Sequence, residues 1–183
     1  MTNKNNRGVS TNIGTNERDM RIRIMCGAEP ARDIDMGPVA QLCDEMATGG
    51  HIEAQSGGYS SFVAEVINRR RVNLGGKKTD ARCFVIRIKD EIYGFSILVD
   101  WGDPKFIELL VLGVQTRFRR QGHGWALLMT AEEQAHNCQK NLKVRCYPAS
   151  SQMKSMLKKR GYERIHPECT TAVEVYGWLH IKP

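Results

Sequence analysis

Residues 106–128 read FIELLVLGVQTRFRRQGHGWALL, and this stretch decides how the chain folds. Its first part, 106–114, is so apolar that both faces of a strand must be covered, which predicts a central strand of a sheet. From Gln121 onward, apolar residues recur at helical spacing and predict a helix that ends near Cys138. The junction between them holds three arginines and two glycines. A strand-to-helix junction presents unpaired amides and the positive end of the helix dipole, so it predicts an anion site.

The rest of the chain predicts strands on both sides of this junction. Alternating apolar residues indicate strands at 20–26, 142–147 and 170–181, and a pair of strands within 81–100 joined by a tight turn at 89–91. Helices are predicted after Asp33 or Asp35, after Ser60 or Ser61, and after Ser150 or Ser151, and 73–80 is predicted as a loop. This order of elements favours an α/β fold with a mixed sheet of six to seven strands and helices on both faces.

Composition sets the broad class. Residues 1–19 are polar and predict a flexible tail, whereas 20–183 predict a single domain. The formal net charge of +7 favours anionic partners without selecting one. No apolar run is long enough for a membrane span, and the six cysteines form no C-x-x-C pair, so we expect a cytoplasmic protein. The histidines and cysteines lack metal-ligand spacing, so no metal is predicted.

Two well-known phosphate loops are excluded at the junction. The Walker pattern fails at 75–80 because Lys78 stands where Ser or Thr is required, and G-x-G-x-x-G fails because Leu127 stands where its third glycine belongs. Residues 109–128 instead resemble the acetyl-CoA-binding motif of the GNAT N-acetyltransferase superfamily. The family signature [RQ]-x-x-G-x-[GA] is matched by Arg119, Gly122 and Gly124, and Val114 stands five residues before Arg119, as is typical of the family.

The resemblance implies where coenzyme A binds. The backbone at 112–114 would pair with the pantetheine arm, and the pyrophosphate would lie on the loop and on the amides that open the helix. Gly113 inside a strand suggests either a bulge, which would help to separate the strands, or a close approach to the backbone. His123 could meet a phosphate or face solvent. The expected cofactor-binding residues are Leu112, Gly113, Val114, Arg119, Arg120, Gln121, Gly122, His123, Gly124, Trp125 and Ser150.

The resemblance also implies catalytic residues. Glu108, the one acidic residue of its strand, stands where many family members keep a glutamate as general base, although a carboxylate paired with a neighbouring arginine fits the sequence as well. The tyrosine that many members use as general acid is Leu157 here, so Tyr147, a water or unassisted departure of the thiolate would take its place. Ser150 replaces a frequent asparagine and would bind pantetheine or cap a helix.

The implied function is transfer of an acetyl group from acetyl-CoA to a primary amine of a protein or small molecule. The alternative is a noncatalytic protein of the same fold that binds an acyl-CoA or nucleic acid; nucleic acid is the less expected partner, because the basic clusters lack interleaved aromatic residues. Family members often form homodimers. The acceptor is expected against the loop at 49–61, in which only Glu53 is an obvious partner for a cation.

Overall fold

The computed structural model of the protein describes residues 27–74, 76–165 and 173–178. Within them the helices are α1 Met36–Thr48, α2 Ser60–Arg69, α3 His123–Asn137 and α4 Ser151–Lys159, with 3-10 turns at Asp33–Asp35 and Thr116–Phe118. The strands are β1 Glu29–Pro30, β2 Arg71–Leu74, β3 Lys77–Ile88, β4 Glu91–Asp100, β5 Phe106–Val114, β6 Asn141–Cys146, β7 Glu163–Arg164 and β8 Glu174–Trp178. The predicted tail at 1–19 and the predicted strand at 20–26 lie outside the described residues.

The strands form one mixed sheet. Its order is β1-β3-β4-β5-β6-β8-β7, and β2 pairs with β3. Neighbouring strands run antiparallel except β5 and β6, which are parallel because α3 crosses over between them. The predicted mixed α/β fold is confirmed. The described residues contain eight strands where six to seven were expected, because β1 and β7 are short additions and the predicted loop at 73–80 is a hairpin.

Strand alternation divides the core between the two faces of the sheet. On one face α1 packs against β4 and β5, and α2 packs against β2 and β3, around an apolar core that includes Val63, Phe95 and Ile97. On the other face α3 and α4 cover a core that includes Leu109 and Leu157. Both faces of β5 are therefore covered, as its apolar sequence predicts. Among the described residues, no helix is both long and apolar enough to span a membrane.

Asp35 stands at the predicted N-cap position of the first helix but does not cap it through its side chain. Helix α1 buries the expected stripe and ends before Gly49, but Asp35 makes no side-chain bond to the helix. Its carboxylate, 1% exposed, instead accepts the backbone N–H of Arg32 at 2.8 Å and lies 2.6 Å from Nη2 of Arg87 in β3. This buried ion pair fixes the start of α1 to the sheet.

Candidate functional site

The parallel pairing of β5 with β6 ends partway along β5. The register runs from Phe106 opposite Asn141 to Leu109 opposite Val144 and, within the described residues, continues no further. On the other side of β5 the register with β4 shifts at the same point, so that Leu110 is an extra residue in the ladder. From Leu110 onward the edge of β5 that faces β6 is open, and this opening is the slot of the candidate site.

The backbone groups of Leu112 and Val114 face the slot. The amide of Gln115 donates to the carbonyl of Tyr93 in β4 at 2.9 Å. Because residues of an antiparallel strand point their backbone groups alternately to the two sides, the groups of Gly113 turn toward β4, and those of Leu112 and Val114 turn away from it. Two of the three predicted backbone positions are thus directed into the slot.

Gly113 marks a close approach, one of the two alternatives that the sequence left open, and not a bulge. The predicted bulge lies at Leu110, not at Gly113. A Cβ atom on Gly113 would lie 2.6 Å from Sδ of Met46 in α1 and 2.7 Å from Cε1 of Phe95. Glycine is therefore required here because α1 and β4 approach the strand closely.

The loop after β5 is folded back onto the strand by its own side chains. Arg119 Nε donates to the carbonyl of Val114 at 3.1 Å, and Gln121 Nε2 donates to the carbonyl of Arg117 at 3.3 Å. Arg117 also forms an ion pair with Glu91. Arg120 is exposed and has a φ of 62°, a left-handed conformation that turns the chain toward the helix.

Helix α3 begins with free amides at the end of this loop. Gly122, with a φ of 88°, is its first flanking residue, and the first bond runs from the amide of Ala126 to the carbonyl of Gly122 at 3.0 Å. The amides of His123, Gly124 and Trp125 precede that bond, so they are the donors that a helix start leaves for an anion.

The two glycines of the signature, Gly122 and Gly124, have different structural roles. Gly122 permits the left-handed turn at the helix start. A Cβ atom on Gly124 would touch Val114 Cγ2 at 3.8 Å and Leu112 Cδ2 at 3.9 Å, which is ordinary van der Waals contact. Gly124 therefore faces β5, and the space beside it has room for a Cβ atom.

The side chain of His123 is turned inward. It is 4% exposed, and its ring lies edge-on to Tyr93 at 5.3 Å between centroids, while Tyr93 stacks on Phe118 at 3.6 Å. Neither ring nitrogen has a hydrogen-bond partner among the described residues. Burial lowers the pKa of His123, which favours the neutral ring. The ring of His123 therefore does not face solvent, and its backbone amide lies among the donors at the helix start.

Trp125, Arg160 and Glu132 connect the start of α3 to the end of α4. The Arg160 guanidinium lies 5.4 Å from the centroid of the Trp125 ring and 2.9 Å from a carboxylate oxygen of Glu132. Glu132 also accepts the hydroxyl of Tyr162 at 3.1 Å. This cluster sets the position of the first turn of α3, whose amides complete the loop.

Glu108 lies where the strands separate, on the sheet face covered by α1 and α2. It is 0% exposed and stands opposite Lys143 in the parallel register. Its Oε2 accepts the indole N–H of Trp101 at 2.9 Å and lies 3.2 Å from Lys143 Nζ. Its Oε1 lies 2.8 Å from Arg145 Nε, an ionic contact without hydrogen-bond alignment. The ion-paired carboxylate that the sequence left open as an alternative is what the structure contains.

Tyr147 and Ser150 follow the end of β6, across the slot from β5. Tyr147 is half-buried beside Tyr59. Burial raises the pKa of Tyr59 to about 12, and Tyr147 is one of the neighbouring groups that contribute to this increase. Ser150 precedes α4 but makes no capping bond, and its Oγ lies 3.4 Å from His51 Nδ1. Leu157, at the position of the expected tyrosine, is 0% exposed in the core.

Four residues of the site were not predicted from the sequence. Lys143 and Arg145 are charged residues two apart in an apolar strand, a pattern that places them on one face and could have marked them. Trp101 and His51 lie in loops and reach the site only through the tertiary fold.

Comparison with known proteins identifies the family to which this fold belongs. A family model described as "Acetyltransferase (GNAT) family" matches residues 55–162, more than half of the 183 residues. No curated protein matches the sequence.

Solved structures with this fold include enzymes with different acceptors. The aminoglycoside 6'-acetyltransferase type Ii has a TM-score of 0.65 and 14% identity over 85% of this chain and 98% of that one. The PaiA N-acetyltransferase from Thermoplasma acidophilum, in complex with coenzyme A, has a TM-score of 0.59 and 16% identity over 82% and 96%.

The N-acetylglutamate synthase from Neisseria gonorrhoeae, complexed with coenzyme A and N-acetyl-glutamate, has a TM-score of 0.61 and 14% identity over 82% of this chain. Only 34% of the synthase is covered, so this chain spans about a third of its length. Because the family match covers most of the fold and the architecture agrees with it, the chain belongs to the GNAT family of acetyltransferases.

Proposed function

We propose that this acetyltransferase moves the acetyl group of acetyl-CoA to a primary amine in the slot between β5 and β6. The observation that carries the proposal is the coincidence of three features at one end of β5: an open strand edge at Leu112 and Val114, a loop folded onto Val114 by Arg119, and the free amides that begin α3.

The residues fit the chemistry of coenzyme A. An open strand edge offers donors and acceptors to the amide groups of a pantetheine arm, as a neighbouring strand would. The amides at the start of α3, with Arg119, Arg120 and Gln121 in the loop before it, suit a pyrophosphate. Ser150, across the slot, offers a hydroxyl to the same arm. Acetyl-CoA supplies the acetyl group as a thioester.

Glu108 and Tyr147 are the groups we assign to proton transfer. A lysine-like amine, with a pKa of about 10.4, is protonated at neutral pH and must lose a proton before it attacks. Glu108 accepts that proton, directly or through a water. The amide of Leu112 or Val114 donates to the carbonyl oxygen where negative charge develops. Tyr147 returns a proton to the leaving thiolate in place of the tyrosine that Leu157 replaces.

Calorimetry and a turnover assay test the assignment. The wild-type protein is expected to bind coenzyme A with a micromolar Kd and to release its free thiol when acetyl-CoA and a suitable amine are supplied. Glu108→Gln is expected to keep coenzyme A binding and to lose about 10²- to 10⁴-fold in turnover, the usual contribution of a general base. Glu163→Gln, on exposed β7, is the matched control that should retain both.

The Glu108 variant needs a check on folding, since removal of one partner from a buried ion cluster costs about 3–5 kcal/mol. The double variant Glu108→Gln/Lys143→Met removes one of the uncompensated cations and should recover stability without recovering turnover. Tyr147→Phe should lower kcat with coenzyme A binding intact. A protein that binds coenzyme A but transfers acetyl to no amine would be the noncatalytic alternative, and one that binds no coenzyme A would refute the site.

A further inference from the structure

The charges that face solvent at the floor of the slot are positive. Glu108 is 0% exposed, whereas the side chains of Lys143 and Arg145 are 19% and 49% exposed. One buried carboxylate is therefore covered by two cations, and the cations form the surface that an acceptor meets.

This cluster has an uncompensated positive charge. Within the part of the chain that the structure describes, Glu108 is the only carboxylate in ion-pair distance of Lys143 or Arg145. Trp101, the remaining polar contact of Glu108, adds an uncharged indole N–H. Two cations and one anion leave a net charge of +1 at the point where β5 and β6 separate.

The terminal nitrogens of the Arg145 guanidinium can donate hydrogen bonds to a ligand. Its closest contact with Glu108 is through Nε, and its terminal guanidinium nitrogens make no hydrogen bond with the described residues. A guanidinium fork binds a carboxylate with two parallel hydrogen bonds, which makes it the side chain best suited to that group.

We infer that the acceptor is a small amine that carries a carboxylate close to its amino group, such as a free amino acid. This inference rests on the proposed acetyl transfer and names its substrate class. The acceptor carboxylate pairs with the terminal nitrogens of Arg145 and with Lys143, and the amino group lies on the Glu108 side. Since the guanidinium and the carboxylate of Glu108 touch each other, a ligand whose carboxylate pairs with Arg145 and whose amine reaches the buried Glu108 through a water has its own opposite charges only a few bonds apart.

The electrostatics also argue against polycationic acceptors at this position. A second positive charge near the amine would approach Lys143 and Arg145 without compensation, and like charges at contact distance disfavour binding. The fold itself does not decide the question, since structures that share it include an aminoglycoside acetyltransferase and an N-acetylglutamate synthase.

Matched acceptor pairs test the inference. We would compare kcat/KM for a set of L-amino acids with kcat/KM for their α-carboxamides, which keep the amine and lose only the carboxylate charge. The expected ratio of acid to carboxamide is at least tenfold in the wild-type protein, as for charge-assisted hydrogen bonds. In Arg145→Gln the ratio should fall toward one through a rise in KM for the acids, and Arg145→Lys should restore part of it.

Arg82→Gln is the control variant. Arg82 is an exposed arginine of β3 that contacts Gln134 of α3 on the opposite face of the sheet, so its loss should leave the ratio unchanged. Binding of N-acetyl amino acids and their carboxamides to protein saturated with coenzyme A provides the same comparison without turnover.

The outcomes separate this inference from the proposed function. Three results would overturn the carboxylate inference and leave the acetyltransferase assignment intact. The first is that the carboxamides are used as well as the acids or better, and the second is that the N-acetyl amino acids and their carboxamides bind equally or not at all. The third is that Arg145→Gln does not change the ratio of kcat/KM between acid and carboxamide. Failure to bind coenzyme A would overturn the assignment itself. Preference for the acids in both measurements, lost in Arg145→Gln and kept in Arg82→Gln, supports the inference.

Discussion

The side chain of Arg119 donates a hydrogen bond to the carbonyl oxygen of Val114, five residues earlier, with 3.1 Å between Arg119 Nε and the oxygen. The arginine of the signature thus closes a loop on the last residue of β5. Its contact occupies a carbonyl on the open edge and fixes where the loop sits relative to that edge. The same residue has a structural task and a charge that suits a phosphate.

Two substitutions at Arg119 separate those tasks. Arg119→Ala loses both the hydrogen bond and the charge, and we expect the Kd for coenzyme A to rise about tenfold. Arg119→Gln keeps a donor that can reach the carbonyl and should have an intermediate Kd. Calorimetry with coenzyme A provides both values, and equal losses in the two variants would mean that the contact with Val114 does not matter for binding.

The two signature glycines should respond differently to alanine. Gly122→Ala places a Cβ atom on a residue with a φ of 88°, which costs about 1 kcal/mol of stability and disturbs the helix start. At Gly124 a Cβ atom would only touch Val114 and Leu112, and alanine favours the helix by about 1 kcal/mol. Urea denaturation should therefore order the proteins as Gly124→Ala, wild type, Gly122→Ala, and the reverse order would contradict the local geometry.

Gly94 in β4 should tolerate no side chain. A Cβ atom there would lie 2.7 Å from the carbonyl oxygen of Gly113, which belongs to the backbone and cannot move aside. We expect Gly94→Ala to lower the free energy of unfolding by about 1–3 kcal/mol and to weaken coenzyme A binding by displacing β5. Gly37→Ala is the control, because nothing lies within 4 Å of that position in α1, and alanine there should be neutral or stabilising.

His123 should make the protein less stable in mild acid. Burial lowers its pKa in the folded protein, so below the ordinary value of about 6.5 the unfolded chain binds a proton that the folded chain does not. As the pH is lowered, this one group then decreases the free energy of unfolding by up to about 1.4 kcal/mol per pH unit. His123→Phe removes the titrating ring and keeps an aromatic contact with Tyr93. Denaturation at pH 7.5 and 5.5 should show a smaller loss in the variant than in the wild type; an equal loss would assign the acid sensitivity to other groups.

Local sequence patterns predict the elements on which the site stands. The apolar run of β5, the turn at Lys89 and Asp90 with φ values of 50° and 65°, and the amphipathic helix α3 all follow from residues adjacent in the chain. The hairpin of β2 and β3 could not be predicted in this way, because Lys77, Lys78 and Asp80 are residues typical of loops. They pair at the end of the sheet, where Lys77 Nζ reaches the carbonyl of Trp101 at 2.5 Å.

The charged part of the site depends on contacts that no local pattern contains. Asp35 was expected to cap α1, but Arg87, far away in sequence, takes its carboxylate. Glu108 meets Lys143 only because the parallel register places those two residues opposite each other. The loop that we propose for the cosubstrate could thus be predicted from the sequence, whereas the charges on the proposed acceptor side depend on the strand register.

An opening in the middle of a sheet creates a strand edge that a closed sheet would not have. Unpaired strand edges recruit other strands, and proteins usually cover or charge them. The edge at Leu112 and Val114 lies in an apolar strand, and apolar side chains do not prevent its backbone groups from pairing with another chain. Occupation of that edge by coenzyme A would then protect the protein from self-association, and concentrated preparations should remain monodisperse for longer when the coenzyme is present.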